Sequence, residues 1–240
     1  MHAEYLGARQ AETLIVVVGR NNLAKTSEPI TAILHKLHEW GASICWLDTK
    51  ARFYGRQRHA AYAQIRQQWL DPLCERQPLI GSVLRRLVRL YLKLKYPKRH
   101  GRFFSRYQAE LTENDLLRFL RRQPNQHVHL LTHSAGGILA TQVANQACVK
   151  KIICFGYPFK HPERQDEAYR TAHLKDVRKP TLIIQGTQDE YGSSEDARRY
   201  ASSPHIALHA LESDHDFADL TSSDIAGLTD LIIDFMQRSQ

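Results

Sequence analysis

Apolar positions along this chain gather into short runs of strand length, separated by segments with a helical rhythm. The runs are "TLIVVV" (13–18), "ASICWL" (42–47), "HVHLLT" (127–132), "KIICF" (151–155), "TLIIQ" (181–185) and "IALHAL" (206–211). Nearly continuous apolar strands are what a sheet covered by helices on both faces requires. Between them the 3.6-residue spacing predicts helices over 29–39, 113–122, 137–146, 194–201 and 225–237. Strands alternating with helices predict an α/β chain, a mostly parallel doubly wound sheet of about six strands. A length of 240 residues suits one such domain over 1–240.

One section breaks the rhythm. The interval between "CWLD" and "HVHLLT" is far longer than a single crossover helix needs, so 51–110 reads as a helical lid inserted into the domain. Within it, "LIGSVLRRLVRLYLKLK" forms an amphipathic helix. At 100° per residue Val83, Leu84, Leu87, Val88, Leu90, Tyr91 and Leu94 share an arc of roughly 160°. Arg85, Arg86, Arg89 and Lys93 lie opposite. The first expectation is that the apolar arc packs on the domain with the charges in water. The second is that the stretch 79–102 meets an anionic membrane surface or a protein partner.

Composition narrows the picture without naming a chemistry. The chain is 42% hydrophobic and 24% charged, as ordinary globular proteins are. Its opening residues lack the basic, apolar and small-residue segments of an export signal, so the expected compartment is the cytoplasm. Cys45, Cys74, Cys148 and Cys154 stand singly, without zinc-site spacing, and read as reduced thiols. The net charge of +8 is concentrated between Arg52 and Arg122, which attracts an anionic partner of some kind.

The informative motif is "HVHLLTHSAGGILA" (127–140): a strand, a turn of small residues around Ser134, and a helix. That is the context of a nucleophile elbow, in which a serine is held exposed on a strained turn. Gly136 then stands where a side chain would collide, and the Ala135 N–H would face a developing oxyanion. Thr132 occupies the first position of the motif, where glycine is usual, so a plain serine-capped helix is the competing reading. Two later strand ends favour the elbow. "TLIIQGTQDEYGS" brings Asp189 to the carboxyl end of one strand, and "IALHALESDHDF" brings His215 to the end of the next. Sites in open α/β sheets lie at such ends. The chemistry expected is Ser134 as nucleophile, His215 as base and then acid, and Asp189 as the residue orienting the imidazole.

"THSAGG", "FGYPF", "KPTLIIQGTQDEYGS" and "LESDHDF" resemble the α/β-hydrolase superfamily, in particular its dienelactone-hydrolase-like branch with the testis-expressed and NSL-complex-subunit hydrolase-like proteins. The resemblance covers 127 to the C-terminus and, more loosely, the first two strands. It implies a helix-flanked sheet and a Ser-His-Asp triad. It also implies a second oxyanion donor after the first strand, where family members usually carry His-Gly. Here "VVVGRNN" puts Val18 in place of the histidine, and the N–H of Arg20 or of Asn21 becomes the candidate donor. Loss of one such donor costs about 10²- to 10³-fold in rate.

The expected function is therefore a serine esterase or thioesterase of cytoplasmic location, acting without cofactor or metal on a small-molecule acyl substrate. The alternative is a weak or inactive hydrolase-like interaction protein that docks through its basic helical insertion. His127, His129 and His133 lack a nearby carboxylate or cysteine at ligand spacing, so they read as strand-end histidines. Asp214 and Asp216 read as loop carboxylates, and Asp48 as a structural one. Nucleic acid is set aside as a partner, because the aromatics of the basic stretch also suit a lid over an acyl pocket.

Overall fold

The computed structural model describes residues 2–9, 11–19, 27–48, 50–95, 113–123 and 127–238. Their strands are β1 (His2–Leu6), β2 (Thr13–Val18), β3 (Ser43–Asp48), β4 (His127–His133), β5 (Val149–Phe155), β6 (Thr181–Gly186) and β7 (Ile206–Leu211). The helices are α1 (Glu28–Glu39), α2 (Lys50–Ile65), α3 (Asp71–Arg76), α4 (Pro78–Lys95), α5 (Glu113–Leu120), α6 (Gly136–Gln142), α7 (Ala168–Thr171), α8 (Ser194–Tyr200) and α9 (Ser222–Gln237). The chain divides into two compact units, one formed by Ala3–Leu47 with Leu111–Gln240, the other by Met1–His2 with Asp48–Glu110.

The first unit carries one seven-stranded sheet in the order β1-β3-β2-β4-β5-β6-β7. β2 pairs in parallel with both β3 and β4, and the parallel ladder continues through β5 and β6 to β7. The strand order reverses beside β2, which makes the carboxyl ends of β2 and β4 a topological switch point, the usual place for a ligand crevice. The six strands expected from apolar runs are all present, and β1 is added at the edge.

The same runs explain the core. Leu14, Ile15, Val16 and Val18 of β2 are fully buried, as are Ile152, Ile153, Cys154 and Phe155 of β5, because both faces of the sheet are covered. On one face α1 buries Ile30, Ile33, Leu34 and Leu37, spaced by three and four residues, and packs beside α9 with its Leu228 and Ile232. Burying each such side chain contributes roughly 1.5–3 kcal/mol. Boundaries follow local chemistry. α9 begins at Ser222, earlier than its apolar rhythm, because Thr221 and Asp224 form a reciprocal capping box. α6 ends at Gln142, earlier than expected, after Thr141 bends its hydroxyl back to the Gly137 and Ile138 carbonyls.

The second unit is helical. α2 runs through a π-helical turn (Arg66–Leu70) into α3, which Pro72 opens without needing an amide donor. α4 approaches α3 closely at Gly81, where a Cβ would lie 2.2 Å from Cys74 Sγ. Arg85 donates to Asp71 Oδ1 at 3.1 Å, and the Arg89 guanidinium lies 5.0 Å from the centre of the Tyr62 ring. The amphipathic pattern of α4 is as expected. Gly81 and Leu92 are its buried residues, Leu84, Arg85 and Val88 are half-buried, and Leu79, Ile80, Val83, Leu87, Leu90, Tyr91 and Leu94 are all more than half exposed. Among the described residues no helix is long and apolar enough to cross a membrane.

Candidate active site

β4 carries its chain straight into Ser134, whose φ of 56° is left-handed. Such a conformation costs a non-glycine residue on the order of 1–3 kcal/mol and persists only where its surroundings hold it. Here the Ser134 N–H donates to the Phe155 carbonyl at 3.0 Å, extending the β4–β5 ladder by one residue, and the Gly137 N–H closes the turn on the Ser134 carbonyl at 2.8 Å. α6 starts at once, so it runs close against β2. A Cβ at Gly136 would lie 2.0 Å from the Val18 carbonyl oxygen, which only glycine avoids. Thr132 fits the elbow without a glycine because it is still within the ladder, paired with Val18 and Cys154, and its buried hydroxyl reaches the Ile153 carbonyl at 3.4 Å.

Ser134, His215 and Asp189 form one hydrogen-bonded row. His215 Nε2 is 2.8 Å from Ser134 Oγ, and Nδ1 is 3.0 and 2.9 Å from the two carboxylate oxygens of Asp189. The Asp189 side chain is fully buried, and that of His215 is 12% exposed. The loops that bring them together are stitched to each other: Thr187 N–H donates to the Leu211 carbonyl at 2.8 Å, and Gln188 N–H to that of Ser213 at 3.1 Å. Gly186 allows this approach, since a Cβ there would lie 2.4 Å from the Ser213 oxygen.

A buried polar frame surrounds the row. Asp189 Oδ1 accepts from the Tyr191 N–H at 2.8 Å, and Oδ2 from the Gln185 side-chain amide at 2.8 Å. Gln185 is wholly buried; its amide also donates to the Gly192 carbonyl (2.6 Å) and that of Tyr157 (3.3 Å), and its oxygen accepts from the Tyr157 N–H (2.9 Å). On the other side His133 Nε2 lies 2.9 Å from the His215 carbonyl, and the Tyr191 ring is centred 4.5 Å from the imidazole. Burial pushes the His133 ring below the ordinary histidine range, against the opposing effect of that hydrogen bond, so it is a neutral donor. Asp214 Oδ1 accepts from the amides of Asp216 and Phe217, and so shapes the turn after His215. Phe217 is left-handed as well (φ 54°) and packs edge-on against Phe155, with ring centroids 5.6 Å apart.

The geometry fits proton transfer from the Ser134 hydroxyl to His215 Nε2, with Asp189 holding the opposite ring nitrogen. Ala135 directly precedes α6, so its amide sits at the positive end of a short helix. Arg20 and Asn21 lie outside the described residues, as does the end of the expected insertion beyond residue 95. His129 is buried in the sheet, and burial pushes it down to about 4; His127 is exposed. Among the described residues no three histidine, cysteine or acidic side chains are grouped to hold a metal ion. Burial raises the thiols of Cys45 and Cys154 to about 12, which makes both poor nucleophiles at neutral pH. Sequence reasoning missed Gln185. Its signal was an uncharged amide at the end of an otherwise apolar run, where a buried polar group requires partners.

Comparison with known proteins gives the chain a family. The model of a family described as an alpha/beta hydrolase domain matches residues 91–238, more than half of the chain. The esterase domain of a Rhodothermus marinus protein is similar in structure, with a TM-score of 0.55 at 14% identity over 97% of this chain and 96% of that one. An alpha-beta serine hydrolase homologue from Coxiella burnetii gives 0.55 at 17% identity, over 97% and 89% of the two chains. Dienelactone hydrolase from Anabaena variabilis gives 0.51 at 14% identity, over 97% and 89%. No curated protein sequence matches the chain.

Proposed function

The chain belongs to the alpha/beta hydrolase domain family, and we propose that it is a serine hydrolase that cleaves a carboxylic ester or thioester through an acyl-enzyme. The observation that carries this reading is the row Ser134 Oγ, His215 Nε2, His215 Nδ1 and Asp189, with every link at 2.8–3.0 Å.

In this reading Ser134 Oγ attacks the acyl carbon while its proton passes to His215 Nε2. The carbonyl oxygen becomes an oxyanion held by the Ala135 N–H, with Arg20 proposed as the second donor. Collapse of the tetrahedral intermediate breaks the bond to the alcohol or thiol, which leaves with the proton from His215. Water then attacks the acyl-serine, giving its proton to His215, and the carboxylic acid departs as Ser134 is restored. Asp189 stabilises the imidazolium of each half-reaction and keeps Nε2 facing the serine. The insertion 51–110 is assigned the role of a lid on its position in the chain between β3 and β4. The four free cysteines fit the cytoplasm as its compartment.

A fluorophosphonate probe tests the assignment. Wild-type protein should be labelled, Ser134→Ala should not, and Asp189→Asn should lower kcat on an activated ester by about 10⁴-fold. Folded wild-type protein that takes up no label, or label that persists in Ser134→Ala, would refute it.

A further inference from the structure

We propose that α4 is an interfacial helix that seats the protein on an anionic lipid surface. Two features of the second unit carry this. The first is the outward apolar stripe. At 100° per residue Leu79, Val83, Leu87, Leu90 and Leu94 fall within an arc of roughly 80°, and they are 55–83% exposed. Monomeric proteins rarely leave so many large apolar side chains together in water. The side of α4 that packs within its own unit is the opposite one, through Gly81, Val88 and Leu92, so the stripe has no role in holding that unit together.

The second feature is a cavity of about 290 Å³ on one flank of the same helix, between α4 and α2. Its wall is Tyr62, Leu92 and the methylene stems of Arg58, Arg89 and Lys93, with His59 beside them. No carboxylate lines it. Arg85 shares Asp71 with Arg66, at 3.1 and 3.4 Å, but Arg58, Arg89 and Lys93 have no carboxylate partner among the described residues. Apolar stripe and cationic flank thus lie side by side. That is the order in which a bilayer presents them, acyl chains below and phosphate or carboxylate headgroups above. Charge complementarity selects the occupant: the flank has a surplus of cations, and the whole chain carries +8. A protein groove would need to supply the acidic rim that an anionic bilayer offers everywhere.

The test is flotation of the full chain with vesicles, one set of phosphatidylcholine alone and one an equal mixture of phosphatidylcholine and phosphatidylserine. The protein should float with the mixed vesicles and much less with the neutral ones. Raising the salt from about 0.1 to about 1 M shortens the screening length from about 10 to about 3 Å and should release it. Arg89→Gln with Lys93→Gln should weaken binding by about 30-fold, roughly fivefold for each charge removed. Leu87→Gln with Leu90→Gln should weaken it about tenfold or more while leaving the exposed helix folded, as circular dichroism would verify. Ser134→Ala should bind as wild type does, which keeps this inference separate from the hydrolase reading. Failure to float with mixed vesicles would overturn the proposal, as would binding that ignores both double variants. So would a stripe-dependent dimer, seen by sedimentation, that does not bind vesicles.

Discussion

Replacing Gln185 with methionine removes a polar hub while keeping nearly the same volume. The Gln185 side chain is wholly buried and bonds Asp189 Oδ2, the Gly192 carbonyl and both backbone groups of Tyr157. Methionine would leave the Tyr157 N–H and the Gly192 oxygen without their partner in a place water does not reach, while Asp189 Oδ2 keeps only His215 Nδ1. Each orphaned group costs about 1–3 kcal/mol, so even the low end sums to about 2 kcal/mol. For a chain of this size that is a fall in Tm of roughly 4–8 °C. Asp189 would also lose one of its two positioning donors, leaving the Tyr191 N–H. The expected kinetic signature is a lower kcat on an activated ester with little change in KM, because Gln185 touches the acid and not the substrate. Thermal melting and steady-state kinetics of purified Gln185→Met check both parts. A variant with wild-type Tm would refute the argument that this amide is a buried hub, and a wild-type kcat would refute its role in positioning Asp189.

Gly136→Ala should be costly although it adds a single methyl group. Its Cβ would meet the Val18 carbonyl at 2.0 Å and the Gly19 Cα at 2.8 Å, both backbone, so strand and helix must separate. A loss of about 1–3 kcal/mol and reduced fluorophosphonate labelling are expected, measured by urea unfolding and by probe uptake. His129 makes stability depend on pH. Its folded value of about 4 lies below the unfolded 6.5, so the unfolded chain takes up the proton first on acidification and stability falls as pH drops from 6.5 towards 4. Lowering the pH from 7 to 5 should cost about 2 kcal/mol through this group, and His133 adds a loss in the same direction. His129→Leu should flatten the dependence in urea titrations at the two pH values; an unchanged slope would show that His129 is not held neutral.

The strands were legible because burial on both faces leaves little choice of residue. β2 matches its apolar run residue for residue, and so does β7, although as an edge strand it is only partly buried. β1 was not legible: "HAEYL" is short, half-exposed along its length and lies at the sheet edge beside β3, a partner far away in sequence. The row at the site was readable because Ser134, Asp189 and His215 each follow a strand that announces itself. Gln185 and His133 were harder, since their roles depend on partners contributed by other loops. α4 teaches a different lesson. A wheel reports that a helix has two faces, but not which face its neighbours choose, and here Arg85 meets Asp71 and Leu92 is buried while Leu79, Leu87, Leu90 and Leu94 are exposed. α2 has only a weak apolar stripe, so its ends were invisible within the insertion.

The stitched exits of β6 and β7 have a mechanical consequence. Asp189 and His215 ride on one pair of strands joined by the Thr187 and Gln188 amides, whereas Ser134 is tied through its own amide to β5. The sheet therefore works as a caliper, with the base and acid on one jaw and the nucleophile on the other. The jaws meet at the β5–β6 seam, where the Gly156 N–H meets the Ile184 carbonyl at 3.0 Å, and at the His133 ring against the His215 carbonyl. A shear at that seam would open the gap between serine and imidazole and leave the histidine–aspartate pair intact. Loss of attack and loss of imidazole polarisation are thus separable failures, each with its own address in the sheet.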